Sequence, residues 1–133
     1  MTEDKAQRLV GSAVGVSALC FAAIGTLLLF GPEEVGEVLL PGANGGPLVQ
    51  LLGAALLGFG AMNWIARTSV LGGIYGRAVV AGNQTHLTIG AILLLKHGFV
   101  EGGSPAYWTL TAVYVLAAGL FLHLFFSSGL RGR

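Results

Sequence analysis

Apolar residues run almost without interruption through four segments, residues 9–30, 48–66, 75–95 and 105–126, separated by short stretches where glycine, proline and charge collect. None of the four shows the strict alternation of a half-buried strand, and each has the length, about 20 residues, that a helix needs to cross a bilayer. The pattern predicts an all-α membrane protein, one domain over residues 1–133, with four transmembrane helices in a single bundle.

The break after the first segment is the only long one. Pro32-Glu33-Glu34-Val35-Gly36-Glu37-Val38-Leu39-Leu40 reads as a short interfacial helix, with proline in the first turn, acids beside the positive helix end, and Val35, Val38 and Leu39 on one side. Pro41 stops it, and residues 42–47 form a glycine-rich connection into the second span. Gly72-Gly73-Ile74-Tyr75-Gly76-Arg77 forms another glycine cluster, but it lacks the Lys-Ser/Thr ending of a phosphate loop and follows no strand, which argues against nucleotide binding.

Charge sets the expected orientation. Of seven Lys and Arg residues, Lys5, Arg8, Arg67, Arg77, Arg131 and Arg133 fall on one side of the predicted membrane and only Lys96 on the other. Short basic loops stay in the cytoplasm, so both termini are expected inside, in a cell inner (plasma) membrane. Trp64 and Tyr75 near one interface, and Tyr107 and Trp108 near the other, match aromatic belts at headgroup depth. Composition agrees: 54% apolar residues and 10% charged residues leave too little polar surface to coat a soluble globule. The scattered basic residues form no stripe, so no nucleic-acid partner is expected. One cysteine, Cys20, excludes an intrachain disulfide and a cysteine-based zinc site. The acidic and basic N-terminus, followed by an apolar run without a cleavage point, reads as a retained helix rather than a signal peptide.

The third span carries the clearest polar signal. Over residues 75–95 its midpoint is Thr85, which places Asn83, Gln84, Thr85 and His86 within about 3 Å of the bilayer centre. Tyr75, Val79, Gly82, Asn83, His86 and Gly90 share one face, and Arg77, Gln84 and Thr88 another. Asn63 in the second span and His123 in the fourth fall in the cytoplasmic halves of their helices, as does Arg77. Asn63, Arg77, Asn83, His86 and His123 are therefore the candidate ligand-binding residues, lining a polar crevice. The competing reading is interhelical glue, in which Asn, Gln, Thr and His contribute about 0.6–2 kcal/mol each across membrane interfaces. Gly11-x-x-x-Gly15 and Ala54-x-x-x-Gly58 read as small-residue packing stripes, and the surplus of such faces predicts a homodimer or a larger membrane complex.

Several functions are disfavoured by what the spans lack. All six acids lie outside them, so there is no midplane carboxylate of the kind a small multidrug exporter needs. There is neither an H-E-x-x-H pair nor a G-x-S-x-G setting. His86, His97 and His123 fall at unequal depths, unsuited to bis-histidine haem, and no cofactor or metal is expected. Arg77, Asn83 and His86 resemble, over ten residues, the arginine and asparagine pattern of membrane glutathione transferases. The glutamate that follows in that family is missing here, and family membership is not drawn from it. Three functional classes follow: a non-catalytic protein that binds or moves a small or lipid-like ligand through the crevice, with membrane lipids as its surroundings; an accessory or scaffolding subunit of a larger membrane complex; and, third, a membrane enzyme acting on a lipophilic substrate.

Overall fold

The computed structural model describes residues 3–42, 46–68 and 74–129. Ala43, Asn44 and Gly45 of the first connection, Gly72 and Gly73 of the second glycine cluster, and the terminal arginines Arg131 and Arg133 lie outside the described residues.

Five helices follow one another: α1 (Glu3–Phe30), α2 (Pro32–Leu39), α3 (Pro47–Ala66), α4 (Ile74–Glu101) and α5 (Pro105–Gly129). Four of them are long and apolar enough to cross a membrane, through Gln7–Phe30, Pro47–Ala66, Gly76–Glu101 and Pro105–Phe126. The chain is a multi-pass membrane protein. Large side chains such as Val16, Leu27, Ile65, Ile92, Leu116 and Phe126 face outward, as they do where hydrocarbon rather than water is the solvent.

Proline sets the helix boundaries. Pro32 and Pro47 open α2 and α3 in the first turn, where their missing N–H has no intrahelical partner to lose. Pro105 opens α5 in the same way, and Ser104 before it caps the helix: its Oγ accepts from the Tyr107 N–H at 3.1 Å. The same hydroxyl donates to the Val38 carbonyl at 2.7 Å, so one side chain starts α5 and ties down the end of α2.

α4 is longer than its hydropathy predicts. It runs through Lys96 and His97 to Glu101 and ends at Gly102, whose φ of +81° is a left-handed conformation that favours glycine. Lys96 is exposed at the helix end, where a long side chain can reach the interface. The correction moves the midpoint of the span from Thr85 to between Thr88 and Ile89. Asn83 therefore lies about 8 Å from the centre rather than 3 Å, level with Asn63, about 10 Å from the midpoint of its own span.

The long helices pack most closely as two antiparallel pairs, α1 with α3 and α4 with α5. Glycine brings α1 and α3 together. A Cβ on Gly25 would lie 2.7 Å from the Gly53 carbonyl oxygen, and one on Gly53 would lie 2.8 Å from that of Gly25. Such approaches place backbone against backbone and strengthen dispersion contact where no hydrophobic force drives helices together. In the other pair, a Cβ on Gly90 would lie 2.6 Å from the Tyr114 ring. The Ala54-x-x-x-Gly58 stripe is a correction: both residues are exposed, and a Cβ on Gly58 would meet nothing within 4 Å. The inward stripe of α3 is instead Gly53, Leu56, Gly60 and Asn63, one helical face over. Between the pairs lies a core containing Val14, Phe21, Leu56, Val80, Leu87 and Phe121.

Candidate functional site

Asn63 on α3 and Asn83 on α4 are both 0% exposed and meet amide to amide. Asn63 Nδ2 donates to Asn83 Oδ1 at 2.9 Å, and Asn83 Nδ2 donates back to Asn63 Oδ1 at 2.6 Å. The second hydrogen of Asn63 goes to Ser17 Oγ on α1 at 3.1 Å, and that of Asn83 to the Val79 carbonyl at 2.9 Å. Ser17 in turn donates to the Val14 carbonyl at 2.7 Å. All four amide hydrogens are engaged within the protein, and three helices are joined through one chain of hydrogen bonds.

His86 lies one turn deeper along α4, with a different set of neighbours. Phe59 of α3 stacks on its ring at 4.8 Å between centroids, Phe21 of α1 approaches edge-on at 6.1 Å, and Tyr114 of α5 places its hydroxyl 3.2 Å from Nε2. The imidazole thus has one polar partner within an aromatic box contributed by three other helices. Val79, Asn83, His86 and Gly90 do share the inward face of α4, as the helical projection predicts. Arg77 and His123, by contrast, are exposed. The structure brings Asn63 and Asn83 together, places His86 beside them with its own contacts, and leaves the other two candidates at the surface. On the second polar face, Gln84 Nε2 donates to Thr88 Oγ1 at 2.6 Å, while the buried Gln84 Oε1 has no hydrogen-bond partner among the described residues.

Sequence reasoning missed a polar opening. Where α1 begins and α3 ends, a cavity of about 590 Å³ is bordered by Gln7, Arg8, Ser12, Arg67 and Thr68. Its position follows from spacing. Arg8, Gly11, Ser12 and Gly15 fall at i, i+3, i+4 and i+7 on one face of α1. Gly11 and Gly15 carry no side chain to fill the space, and they let the end of α3 close in. A Cβ on Gly11 would lie 2.5 Å from the Arg67 carbonyl oxygen, and one on Gly15 would lie 3.6 Å from Arg67 Cδ. Arg67 is held from its other side by Trp64: the guanidinium carbon lies 3.6 Å from the ring centroid, and Nη1 donates to the Trp64 carbonyl. The legible signal was the glycine pair following Arg8 on its own face, which the sequence assigns only to helix packing.

The Ser17–Asn63–Asn83 chain lies deeper in the bundle than this region and does not line it. Ser17 is two residues beyond Gly15, and Asn63 is one helical turn before Arg67, so the network fixes the α1–α3 spacing next to the cavity. Among the described residues, no three His, Cys, Asp or Glu side chains converge in a way that would hold a metal ion. No family model matches the chain, and neither the curated proteins nor the solved structures include one similar to it.

Proposed function

We propose that this multi-pass membrane protein is non-catalytic and binds a small or lipid-like ligand at the arginine-bearing end of its helices, with both termini in the cytoplasm. The observation that carries this reading is the open cavity of about 590 Å³ between the ends of α1 and α3, with arginines, hydroxyls and an amide around it. That volume lies within the range of small-molecule pockets. Of the candidate residues, Asn63 and Asn83 act by positioning: their closed hydrogen-bond chain ties α1, α3 and α4 together about one turn deeper than the cavity. Passage of a ligand through the bundle would require that pair to part, which favours binding over transport. His86 stabilises the same interior through its aromatic contacts, and the exposed Arg77 and His123 add basic character to that end of the bundle. The test is retention of membrane-derived lipid by the purified chain, measured by native mass spectrometry. Ser12→Trp, which fills the cavity from α1, is expected to remove the bound species while leaving the helix content intact. Equal retention would place the ligand elsewhere.

A second reading, an accessory subunit docked through α4, has one observation in its favour. Gln84 Oε1 is buried without a hydrogen-bond partner among the described residues, and Arg77 and Thr85 on the same helix are exposed. With the Gln84 side chain turned outward, a neighbouring transmembrane helix with a donor at that depth would satisfy the carbonyl. Cross-linking from Thr85→Cys in the native membrane, in a Cys20→Ala background, distinguishes a specific neighbour from lipid.

A further inference from the structure

We propose that the cavity between Arg8 and Arg67 is a seat for the phosphate of an anionic phospholipid. This rests on the reading of the cavity as the ligand site and adds the chemistry of its occupant.

The two arginines, one on α1 and one directly after the end of α3, border one opening. Its described lining contains no carboxylate: besides the arginines it presents the amide of Gln7 and the hydroxyls of Ser12 and Thr68, all able to donate to an anion. Arginine suits a phosphate because its planar fork of N–H groups matches two oxygens at once, and its weak hydration lowers the cost of leaving water. Arg67 is packed against Trp64 before any ligand is present. Its stacking on Trp64 and the Nη1 bond to the Trp64 carbonyl fix the plane of the guanidinium, leaving four of its five N–H groups for other acceptors. An ordered donor loses less side-chain entropy when it binds.

Depth points to a lipid rather than a free anion. Arg8 is the second residue of the first apolar span, and Arg67 directly follows the last residue of the second, so both stand where hydrocarbon gives way to headgroups. Leu9, Val16 and Ile65 are exposed farther along the same two helices and offer an apolar surface to acyl chains. A phosphate held at the cavity therefore has its hydrocarbon tails already in the bilayer. Basic pockets between transmembrane helices are established seats for acidic headgroups.

The test uses the full chain, stripped of lipid in detergent and titrated with phosphatidylglycerol, phosphatidylcholine or inorganic phosphate, with occupancy read by native mass spectrometry. Phosphatidylglycerol is expected to bind more tightly than phosphatidylcholine. Arg8→Gln and Arg67→Gln should each weaken it about fivefold, the equivalent of one lost basic contact near the membrane surface. Arg67→Lys keeps the charge and loses the fork, and should fall between wild type and Arg67→Gln. Circular dichroism before titration confirms that each variant is folded, and only folded variants are compared. Equal affinity for the two lipids, or unchanged phosphatidylglycerol affinity in both Gln variants, overturns the anionic seat while the ligand site itself stands. Displacement of phosphatidylglycerol by equimolar inorganic phosphate would assign the seat to a free anion and overturn the lipid. Failure of every lipid to bind in a manner sensitive to Ser12→Trp sinks the underlying site as well.

Discussion

Asn63 and Asn83 hold each other by two amide hydrogen bonds, 2.9 and 2.6 Å long, across the only polar junction between α3 and α4 found among the described residues. The geometry is self-complementary: each amide offers one donor and one acceptor to its counterpart and has one hydrogen left for a third group. Truncating either residue strands the other in an apolar interior. Asn63→Ala and Asn83→Ala are each expected to cost about 1–3 kcal/mol, and the double variant less than the sum of the two. Thermal unfolding in detergent measures this, and strict additivity would show that the two amides do not depend on each other.

Glycine substitutions separate close approach from mere composition. Gly25→Ala places a methyl group against the Gly53 carbonyl and should destabilise the α1–α3 pair by about 1–3 kcal/mol. Gly58→Ala meets open space and should be neutral, or stabilising by up to about 1 kcal/mol through helix propensity. Equal losses at both sites would contradict the observed face of α3.

Within α4 the same contrast applies at shorter range. A methyl group at Gly90 would overlap the Tyr114 ring, whereas one at Gly82 would lie 3.9 Å from Phe59, an ordinary contact. Gly90→Ala is therefore expected to lower the unfolding temperature and weaken the His86–Tyr114 contact, and Gly82→Ala to do neither. Histidine side-chain NMR signals report the second effect directly.

Ser104 joins two elements at the opposite end of the bundle, so its loss should be felt in both. Ser104→Ala removes the cap of α5 and the bond to the Val38 carbonyl, with an expected cost of about 1 kcal/mol. Hydrogen exchange should accelerate at Tyr107 and at the amides of α2. Acceleration at Tyr107 alone would mean that α2 is held by other contacts.

Orientation is tested by single cysteines in a Cys20→Ala background. Thr68→Cys should be shielded from an impermeant thiol reagent in intact cells, and Asn44→Cys should react, because the basic residues favour the Thr68 side by six to one. The reverse labelling pattern would invert the protein in the membrane.

Length and hydropathy were enough to read four spans, because lipid forces every backbone polar group into a helix, and Pro32 with the acids that follow it was enough to read the short α2. The inward face of α4 was also legible, since Gly82, Asn83, His86 and Gly90 recur at helical spacing and have no place against hydrocarbon. Hydropathy ends the third span at Leu95 because the charge of Lys96 looks like a boundary, whereas its long side chain can extend outward from a helix that continues to Glu101.

What a single chain could not disclose was the pairing. Ala54-x-x-x-Gly58 and Gly53…Gly60 are equally plausible small-residue stripes in sequence, and the choice between them depends on which backbone each helix meets. The Ser17–Asn63–Asn83 chain likewise needs three helices at one depth before any of its bonds exists. The cavity is a property of an interface: Arg8 and Arg67 stand far apart along the chain and border one opening because Gly11 and Gly15 let the end of α3 approach α1. The sequence by itself determined which segments cross the membrane, since that choice depends on the solvation of each residue. Tertiary structure alone decided which polar groups satisfy one another and which remain open to a ligand, since those bonds depend on distances between helices that local preference does not set.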